Sequence, residues 1–346
     1  MQAPAPARLI EGGLPTEAAV AHVIVAKYAD HLPLYRQAQI YARQGVQLDR
    51  STLADWVGRA AWLLGPVHAR LLERLKASSK LFADETTAPV LDPGRGRTKT
   101  GQLWAYARDE RTWCGPEPPG VAYVYAPDRK AERPVAHLKG FSGVLQVDGY
   151  GGYRALAQTG EVRLAFCWSH VRRRFYELAA GPAPIATQAL QRIGELYAIE
   201  ADIRGRPADE RRAVRQDRSR PVIEALEPWL RARLETISQK GKLAEAIRYA
   251  LSRWEGLSRF LEDGRIEIDS NTVERAIRPL ALNRKNALFA GSDAGGEHWA
   301  VLASLVETCK LNGVEPHAYL ADVLSRRVNA HPNSRIDELL PWAYVA

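Results

Sequence analysis

Hydrophobic and polar positions change period several times along this chain, and the changes divide it. From Thr16 to Leu75 apolar residues recur every three or four positions. Val20, Val23 and Ile24, with Lys27 and Tyr28, mark one face, residues 34–43 a second helix, and Leu53, Trp56 and Val57 a third. That spacing is helical. Gly45 breaks the second helix, and Asp49 and Ser51 are placed to cap the third. Ahead of them, residues 1–15 carry Pro4, Pro6, Gly12, Gly13 and Pro15 and read as an extended lead-in. Helix, glycine turn, helix is the outline of a helix-turn-helix, and equally of an ordinary helical hairpin.

From Leu81 the period falls towards two. Residues 80–90 (KLFADETTAPV), 103–108 (LWAYAR) and 121–126 (VAYVYA) predict three strands of an antiparallel meander, with residues 92–101 (DPGRGRTKTG) as a basic, turn-rich loop. Residues 130–138 predict a helix, 143–147 (GVLQV) a buried fourth strand, and 161–168 (EVRLAFCW) a fifth. A helix through Tyr153 and Leu156 lies between the last two, and a basic helix, SHVRRRFYEL, follows. The layout is α/β. Residues 183–262 predict helices and no strand, because Ile223, Leu226, Leu230, Leu234 and Ile237 again step by three or four. Their most charged part, residues 203–220, is expected to be a solvated helix or loop.

The pattern then changes register inside one stretch, residues 265–285 (RIEIDSNTVERAIRPLALNRK). Ile266 and Ile268 alternate with Arg265, Glu267 and Asp269, which predicts a short strand. Asn271 followed by Glu274 then has the form of a helix N-terminus in which the glutamate returns a hydrogen bond to the cap. Val273, Ala276, Ile277 and Leu280 supply the apolar face of that helix; Arg275, Arg278, Arg284 and Lys285 supply the cationic one. Residues 290–296 predict a turn, and a last long helix packs through Trp299, Leu302, Leu305 and Cys309 until Gly313.

A chain of 346 residues exceeds one average domain, so two or three structural units are expected. Its net charge of +8 is mainly arginine and favours a polyanionic partner. Cys114, Cys167 and Cys309 make neither a disulfide framework nor a C-x-x-C knuckle. Apolar runs are far short of a membrane span, and the N-terminus has no cationic leader ahead of an apolar block, so a cytoplasmic setting without membrane is expected.

Candidate chemistry rests on carboxylates. Asp84 lies inside an apolar strand, where a lone carboxylate is costly unless paired, protonated or metal-bound. Asp148 ends the most hydrophobic strand, just before a glycine turn, where ligand groups project in open α/β sheets. Each alone is also an ordinary turn or cap residue. Together with Glu274 they form a series spaced by 64 and then 126 positions, each at a strand end or helix start. Converging carboxylates need a cation between them, and hard oxygen donors favour Mg²⁺ or Mn²⁺. Two such ions serve phosphodiester chemistry. A glycosidase would need only two acids and leaves the basic charge unexplained.

Longer motifs carry a specific resemblance. FADETTAPV around Asp84, LQVDGYGGY around Asp148, CWSHVRRRF from Cys167, and IEIDSNTVERAIRPLALNRKNALFAGSDAGGE around Glu274 are similar to the large transposase subunit of the IS66 family of bacterial insertion sequences. VETCKLNGVEPHAYLADVL and IDELLPW extend the resemblance to the C-terminus. It implies an RNase H-like mixed sheet flanked by helices, with an all-helical insertion. It puts Asp84, Asp148 and Glu274 on a DDE triad that is both catalytic and metal-binding, with two Mg²⁺ or Mn²⁺ ions. The implied activity is cleavage of double-stranded DNA at element ends and joining of the freed 3′-hydroxyl to target DNA. Implied partners are two small accessory proteins of the same element and further copies of the chain on DNA, at the bacterial nucleoid. The family usually begins with a coiled-coil and a cysteine-rich zinc-binding segment, which this sequence does not contain, so a catalytically idle DNA-binding remnant is the alternative. Ser270 stands where the family commonly has Asn, with little expected effect.

Supporting roles fall to neighbours of the triad. Cys167 and His170 form a C-x-x-H; with no second Cys/His pair, His170 is expected to orient the site or the DNA, or equally to serve a structural core role, rather than hold zinc. Arg172, Arg173, Arg174, Asn271, Arg275, Arg278, Arg284 and Lys285 are candidates for phosphate contact or support, and Tyr150 and Tyr153 for base stacking or core. The expected organisation is a helical region over 1–78, the two parts of the catalytic domain over 79–182 and 263–290, a helical insertion over 183–262 and a helical region over 291–346.

Overall fold

Thr16 opens the first helix by accepting the Ala19 N–H on its hydroxyl at 3.2 Å. The computed structural model describes residues 7–92, 94–158 and 160–344, so Pro4 and Pro6 of the expected lead-in lie outside the described residues. The first elements are α1 (Glu17–Tyr28), α2 (Leu34–Arg43) and α3 (Arg50–Lys76). Leu53, Trp56, Val57, Ala60, Leu64, Val67 and Leu71 make one buried stripe along α3, the signature of a helix spending its apolar face on a core.

Five strands follow: β1 (Lys80–Asp92), β2 (Arg97–Arg108), β3 (Gly120–Ala126), β4 (Gly143–Val147) and β5 (Val162–Phe166). Two short helices, α4 (Glu132–His137) and α5 (Arg154–Ala157), lie in the connections. The sheet order is β3-β2-β1-β4-β5. β2 is antiparallel to β1 and β3, whereas β4 is parallel to β1 and β5. The expected loop over residues 92–101 needs correction. β1 and β2 continue as a ladder until Asp92 faces Arg97, and only the tip is a turn. Backbone pairing satisfies a protruding hairpin whatever its side chains, so a polar, glycine-rich sequence concealed the strand.

The next helices are α6 (Trp168–Ala179), α7 (Pro184–Ile203), α8 (Ala208–Val214), a π-helical turn (Arg215–Ser219), α9 (Arg220–Glu235), α10 (Lys242–Leu251) and α11 (Trp254–Ser258). Their apolar faces close on Val144 and Ala165 of the sheet and on Ile266 and Ile268. The charged stretch 203–220 is not simply solvated, which corrects the expectation. Arg211 and Arg215 are 1% and 0% exposed. Arg215 bonds both oxygens of Glu200 at 2.7 Å, and Arg211 pairs with Glu267 at 2.8 Å. Burial of these guanidiniums is tolerable only because each meets a carboxylate.

Residues 265–269 do not form the expected strand. Ile266 and Ile268 are buried as alternation predicted, but the backbone joins no ladder. Instead the Gln146 amide of β4 donates to the carbonyls of Glu267 and Asp269 at 2.7 and 3.0 Å, and its oxygen accepts the Glu267 N–H at 3.2 Å. One side chain thus replaces a strand neighbour. Three helices complete the chain: α12 (Asn271–Ala287), α13 (Asp293–Leu311) and α14 (Pro316–Val328). α12 packs along β1 and β2, α13 against β3 and α3, and α14 against α1. Both ends of the chain therefore share one core with β1–β3. Among the described residues no helix is long and apolar enough to cross a membrane.

Candidate active site

β1 and β4 pair in parallel, Phe82 beside Gln146. Two residues further along each strand direction come Asp84, still within β1, and Asp148, just past β4, so the parallel register delivers both carboxylates to the end of the β1–β4 ladder. Asp84 keeps one oxygen on its neighbour's backbone, accepting the Glu85 N–H at 2.8 Å. Burial, then the charge of Asp148, then those of Glu85 and Glu274 push the Asp84 carboxyl up to about 8, against the opposing Glu85 N–H bond. A carboxylate raised in this way is one that lacks a nearby positive charge.

The chain leaves β4 in a tight turn. Asp148 accepts the Tyr150 N–H at 2.8 Å, and Gly149 sits at φ +105°, a conformation that favours glycine. A Cβ at Gly149 would lie 2.6 Å from Nε of Arg253. The helical insert braces this turn: the Tyr249 hydroxyl donates to the Asp148 carbonyl at 2.8 Å, and Arg253 donates to the Gly149 carbonyl at 3.3 Å. The Tyr249 ring has the guanidiniums of Arg174 and Arg253 each 4.0 Å from its centroid, a cation–π arrangement. Neither Tyr249 nor Arg253 stands out in the sequence, because nothing local marks a residue that acts across a hundred positions.

Glu274 sits in the first turn of α12, but the expected cap does not form. Ser270 holds the N-cap position and Asn271 is the first helical residue. The Asn271 backbone N–H and side-chain amide both donate to Asp269, at 3.1 and 2.7 Å. Asp269 has taken the Asn271 N–H that a capping-box glutamate would accept, because a carboxylate two residues upstream reaches that N–H in a local turn. Glu274 is left to accept the Ser270 hydroxyl at 3.1 Å, and its Oε1 lies 3.8 Å from Nδ1 of His170. That Nδ1 is buried and has no hydrogen-bond partner among the described residues. Ligand atoms of Cys167, His170 and Glu274 all fall within 4.8 Å of one another. Glu274 thus lies beside the C-x-x-H, a neighbour that spacing in the sequence did not show. Cys167 itself is buried, accepts the Ser270 N–H at 3.2 Å, and is pushed up to about 11 by that burial.

The other candidates divide. Arg172, Arg173 and Arg174 are exposed on α6; Arg173 pairs with Glu177 at 3.1 Å and Arg174 stacks on Tyr249. Arg275 and Arg278 are exposed along α12, as is Lys285. Arg284 instead ties α12 to β1, donating to the hydroxyls of Thr86 and Thr87 at 3.0 and 2.9 Å. Tyr153 is core, and Tyr150 packs at its edge beside Trp104. Sequence reasoning also missed Glu85, whose carboxylate is held by Arg129 and by the Tyr153 hydroxyl at 3.0 Å. A second acid next to Asp84 was its only signal.

In donor chemistry the acids suit a hard divalent cation. Asp84 and Asp148 are carboxylates that repel each other, and each keeps an oxygen without a hydrogen bond among the described residues. Glu274 is near enough for its charge to act on Asp84, although its carboxylate leans towards His170.

Comparison with known proteins bears on the same residues. Residues 12–298 match the family described as Transposase IS66 family, and residues 304–342 match the IS66 C-terminal element. The chain is 49% identical over 352 residues to the uncharacterized protein y4qI of Sinorhizobium fredii (strain NBRC 101917 / NGR234), covering 99% of this chain and 65% of that protein. It is 48% identical to the uncharacterized protein y4jD of the same strain, covering 100% of this chain and 69% of that protein. For y4hP of that strain the identity is 39%, over 99% of this chain and 65% of the relative. The chain therefore spans just under two thirds of two of these relatives.

Proposed function

This chain belongs to the IS66 transposase family, and on that premise we propose that it carries the DNA-cleaving and strand-joining centre of a transposase, with Asp84, Asp148 and Glu274 as its catalytic acids. The carrying observation is the parallel register that sets Asp84 beside Asp148 just past the end of the β1–β4 ladder. The strand order, three antiparallel strands followed by two parallel ones, supports an RNase H-like sheet split by a helical insertion at 183–262. Charge supports DNA as the partner: the excess of +8 is carried largely by arginine, and Arg172, Arg275, Arg278 and Lys285 are exposed on the helices that flank the acids.

Asp84, Asp148 and Glu274 would hold Mg²⁺ or Mn²⁺. Two such ions, when bound, supply activation of the attacking oxygen and stabilisation of the leaving one in phosphodiester cleavage. The remaining work belongs to the chain. The Asp148 turn is fixed by Tyr249 and Arg253, so its carboxylate is positioned before DNA arrives. His170 and Ser270 hold Glu274, and exposed arginines on α6 and α12 position the phosphates. Accessory proteins of the same element, self-association on DNA and a cytoplasmic, nucleoid-associated setting complete the proposal.

Purified protein incubated with element-end duplex and Mg²⁺ tests it. Nicking and strand transfer that stop with chelator and with Asp148→Ala are expected. Intact activity in Asp148→Ala sinks the triad. Salt-sensitive binding with no turnover in either metal identifies the catalytically idle remnant instead.

A further inference from the structure

A groove of about 540 Å³ opens between the N-terminal helices and the C-terminal end of α12, within the ~300–1,000 Å³ typical of small-molecule sites. Its lining includes Lys27, Tyr35, Arg50, Asn283, Arg284 and Phe289, and no carboxylate. Lys27, Arg50 and Arg284 give this lining a positive balance, with burial lowering the Lys27 ammonium to about 8 and so leaving it charged at neutral pH, and this balance favours an anionic occupant. Tyr35 and Phe289 are each 44% exposed, so two aromatic rings face solvent beside those cations.

A second observation points to a ligand independently. Asn283 lines the groove, is 3% exposed, and its side-chain oxygen has no hydrogen-bond partner among the described residues. An unpaired buried amide costs about 1–3 kcal/mol and calls for a partner. Backbone strain lies alongside: Leu288 holds φ +65° while 64% exposed, an uncommon conformation for a residue with a branched side chain. The groove is joined to β1 just beyond Asp84. Arg284 binds Thr86 and Thr87, and Ala290 exchanges backbone bonds with Pro89 and Leu91 at 2.9 and 2.8 Å. Thr87 is three strand positions past Asp84, roughly 10 Å at ~3.3 Å per residue.

We infer that this groove receives one unpaired nucleotide of the DNA, the base lying on the exposed rings with its edge towards Asn283 and the phosphate near Lys27 and Arg50. The inference rests on the DNA-processing reading above and adds a subsite to it. An intact duplex hides its base faces, so exposed rings in a concavity suit an unstacked base, whereas duplex phosphates are met by cations on open surface.

The test uses the full chain and a fluorescent ten-nucleotide oligo(dT), with a blunt duplex of mixed sequence as comparison. Tyr35→Ala and Phe289→Ala are expected to weaken oligo(dT) binding about tenfold each, as loss of one stacking contact does, and to change duplex binding less than twofold. Asn283→Leu, which fills the same space without the amide, is expected to weaken it as well, with thermal unfolding confirming that each variant is folded. Photocrosslinking of 5-iodouracil-substituted oligo should map to residues 35 or 289. Equal losses for oligo and duplex, crosslinks elsewhere, or unchanged binding in folded variants overturn the inference. So does a change in sedimentation of Phe289→Ala with oligo binding intact, which makes the groove an interface between copies. Asp84→Ala separates the two readings. Oligo binding retained in Asp84→Ala while cleavage is lost keeps both; oligo binding with cleavage also intact in Asp84→Ala keeps the groove and removes the catalytic proposal, and active wild-type protein with indifferent groove variants does the reverse.

Discussion

Asp84 and Asp148 are separated by the same 64 positions that separate Lys80 from Val144, Leu81 from Leu145 and Phe82 from Gln146, the paired residues of β1 and β4. The two acids therefore continue the register of that parallel ladder two residues beyond its last pair, Phe82 and Gln146. Their proximity is a consequence of register, and a register slip of one residue would turn one of them to the other face of the sheet. Burial and the neighbouring charge make this an energetically unfavourable pair in metal-free protein.

That cost predicts a pH dependence. The Asp84 carboxyl is pushed up to about 8, above the ~3.9 of an unfolded chain. A raised acid favours the folded state while protonated, so stability is fullest below about pH 4 and this contribution is lost as pH rises towards 8. Asp148→Asn keeps an acceptor for the Tyr150 N–H and removes the repulsion. It should stabilise metal-free protein at pH 8 by about 1–2 kcal/mol and abolish DNA cleavage. Denaturation with and without Mg²⁺ checks both: the cation should stabilise wild type and leave the variant unchanged. A variant less stable than wild type at pH 8 contradicts the argument.

Gln146→Leu tests how the Glu274 segment is held. The substitution keeps volume within a fully buried strand but removes the amide that bonds Glu267 and Asp269. Leaving those backbone groups unpaired should cost about 2–4 kcal/mol. Hydrogen exchange should accelerate across residues 266–270 while β4 stays protected. Uniform acceleration would mean that the segment is secured by Ile266 and Ile268 alone.

How much of this is legible in the sequence follows from the range of each interaction. The strands and helices showed in their periods, because alternation and three-to-four spacing are local. The hairpin arms beyond Val90 did not, since ladder bonds between Leu91 and Thr98 or Asp92 and Arg97 need no apolar side chain. Ile266 and Ile268 carried a true burial signal, yet Gln146, not a neighbouring strand, satisfies the backbone between them. Asp84, Asp148 and Glu274 were legible as costly or well-placed acids. Glu85, Tyr249 and Arg253 were not, because their roles exist only after the fold brings distant segments together.

Acid should unfold the insert through Glu267. Burial alone would raise this carboxyl, but the charges of Lys80 and Arg211, with hydrogen bonds from Arg211 and Thr112, hold it down to about 2. A depressed acid contributes stability above its unfolded value near ~4.3, and that contribution is lost as pH falls through about 2. Glu267→Gln leaves Arg211 and Lys80 short of a buried counter-charge and should cost about 3 kcal/mol at pH 7. Chemical denaturation at pH 7 and pH 3 measures it: the gap between variant and wild type should narrow at the lower pH. A gap independent of pH would mean that the loss is steric.

His170 offers the sharpest test of how Glu274 is positioned. Its Nδ1 is buried without a hydrogen bond and lies 3.8 Å from the Glu274 carboxylate, which also accepts from Ser270. Groups that orient a metal ligand without touching the reacting atoms commonly contribute 10–100-fold to metal affinity or activity. His170→Ala should therefore raise the Mg²⁺ concentration for half-maximal cleavage by about tenfold or more, with rate at saturating metal less affected. His170→Gln, which retains a polar side chain of similar reach, should recover part of the loss. A role confined to packing would instead lower stability equally in both variants and leave the metal midpoint in place. A role in gripping DNA would move the DNA concentration for half-maximal rate. Measuring all three quantities on the same preparations separates positioning of Glu274 from either alternative.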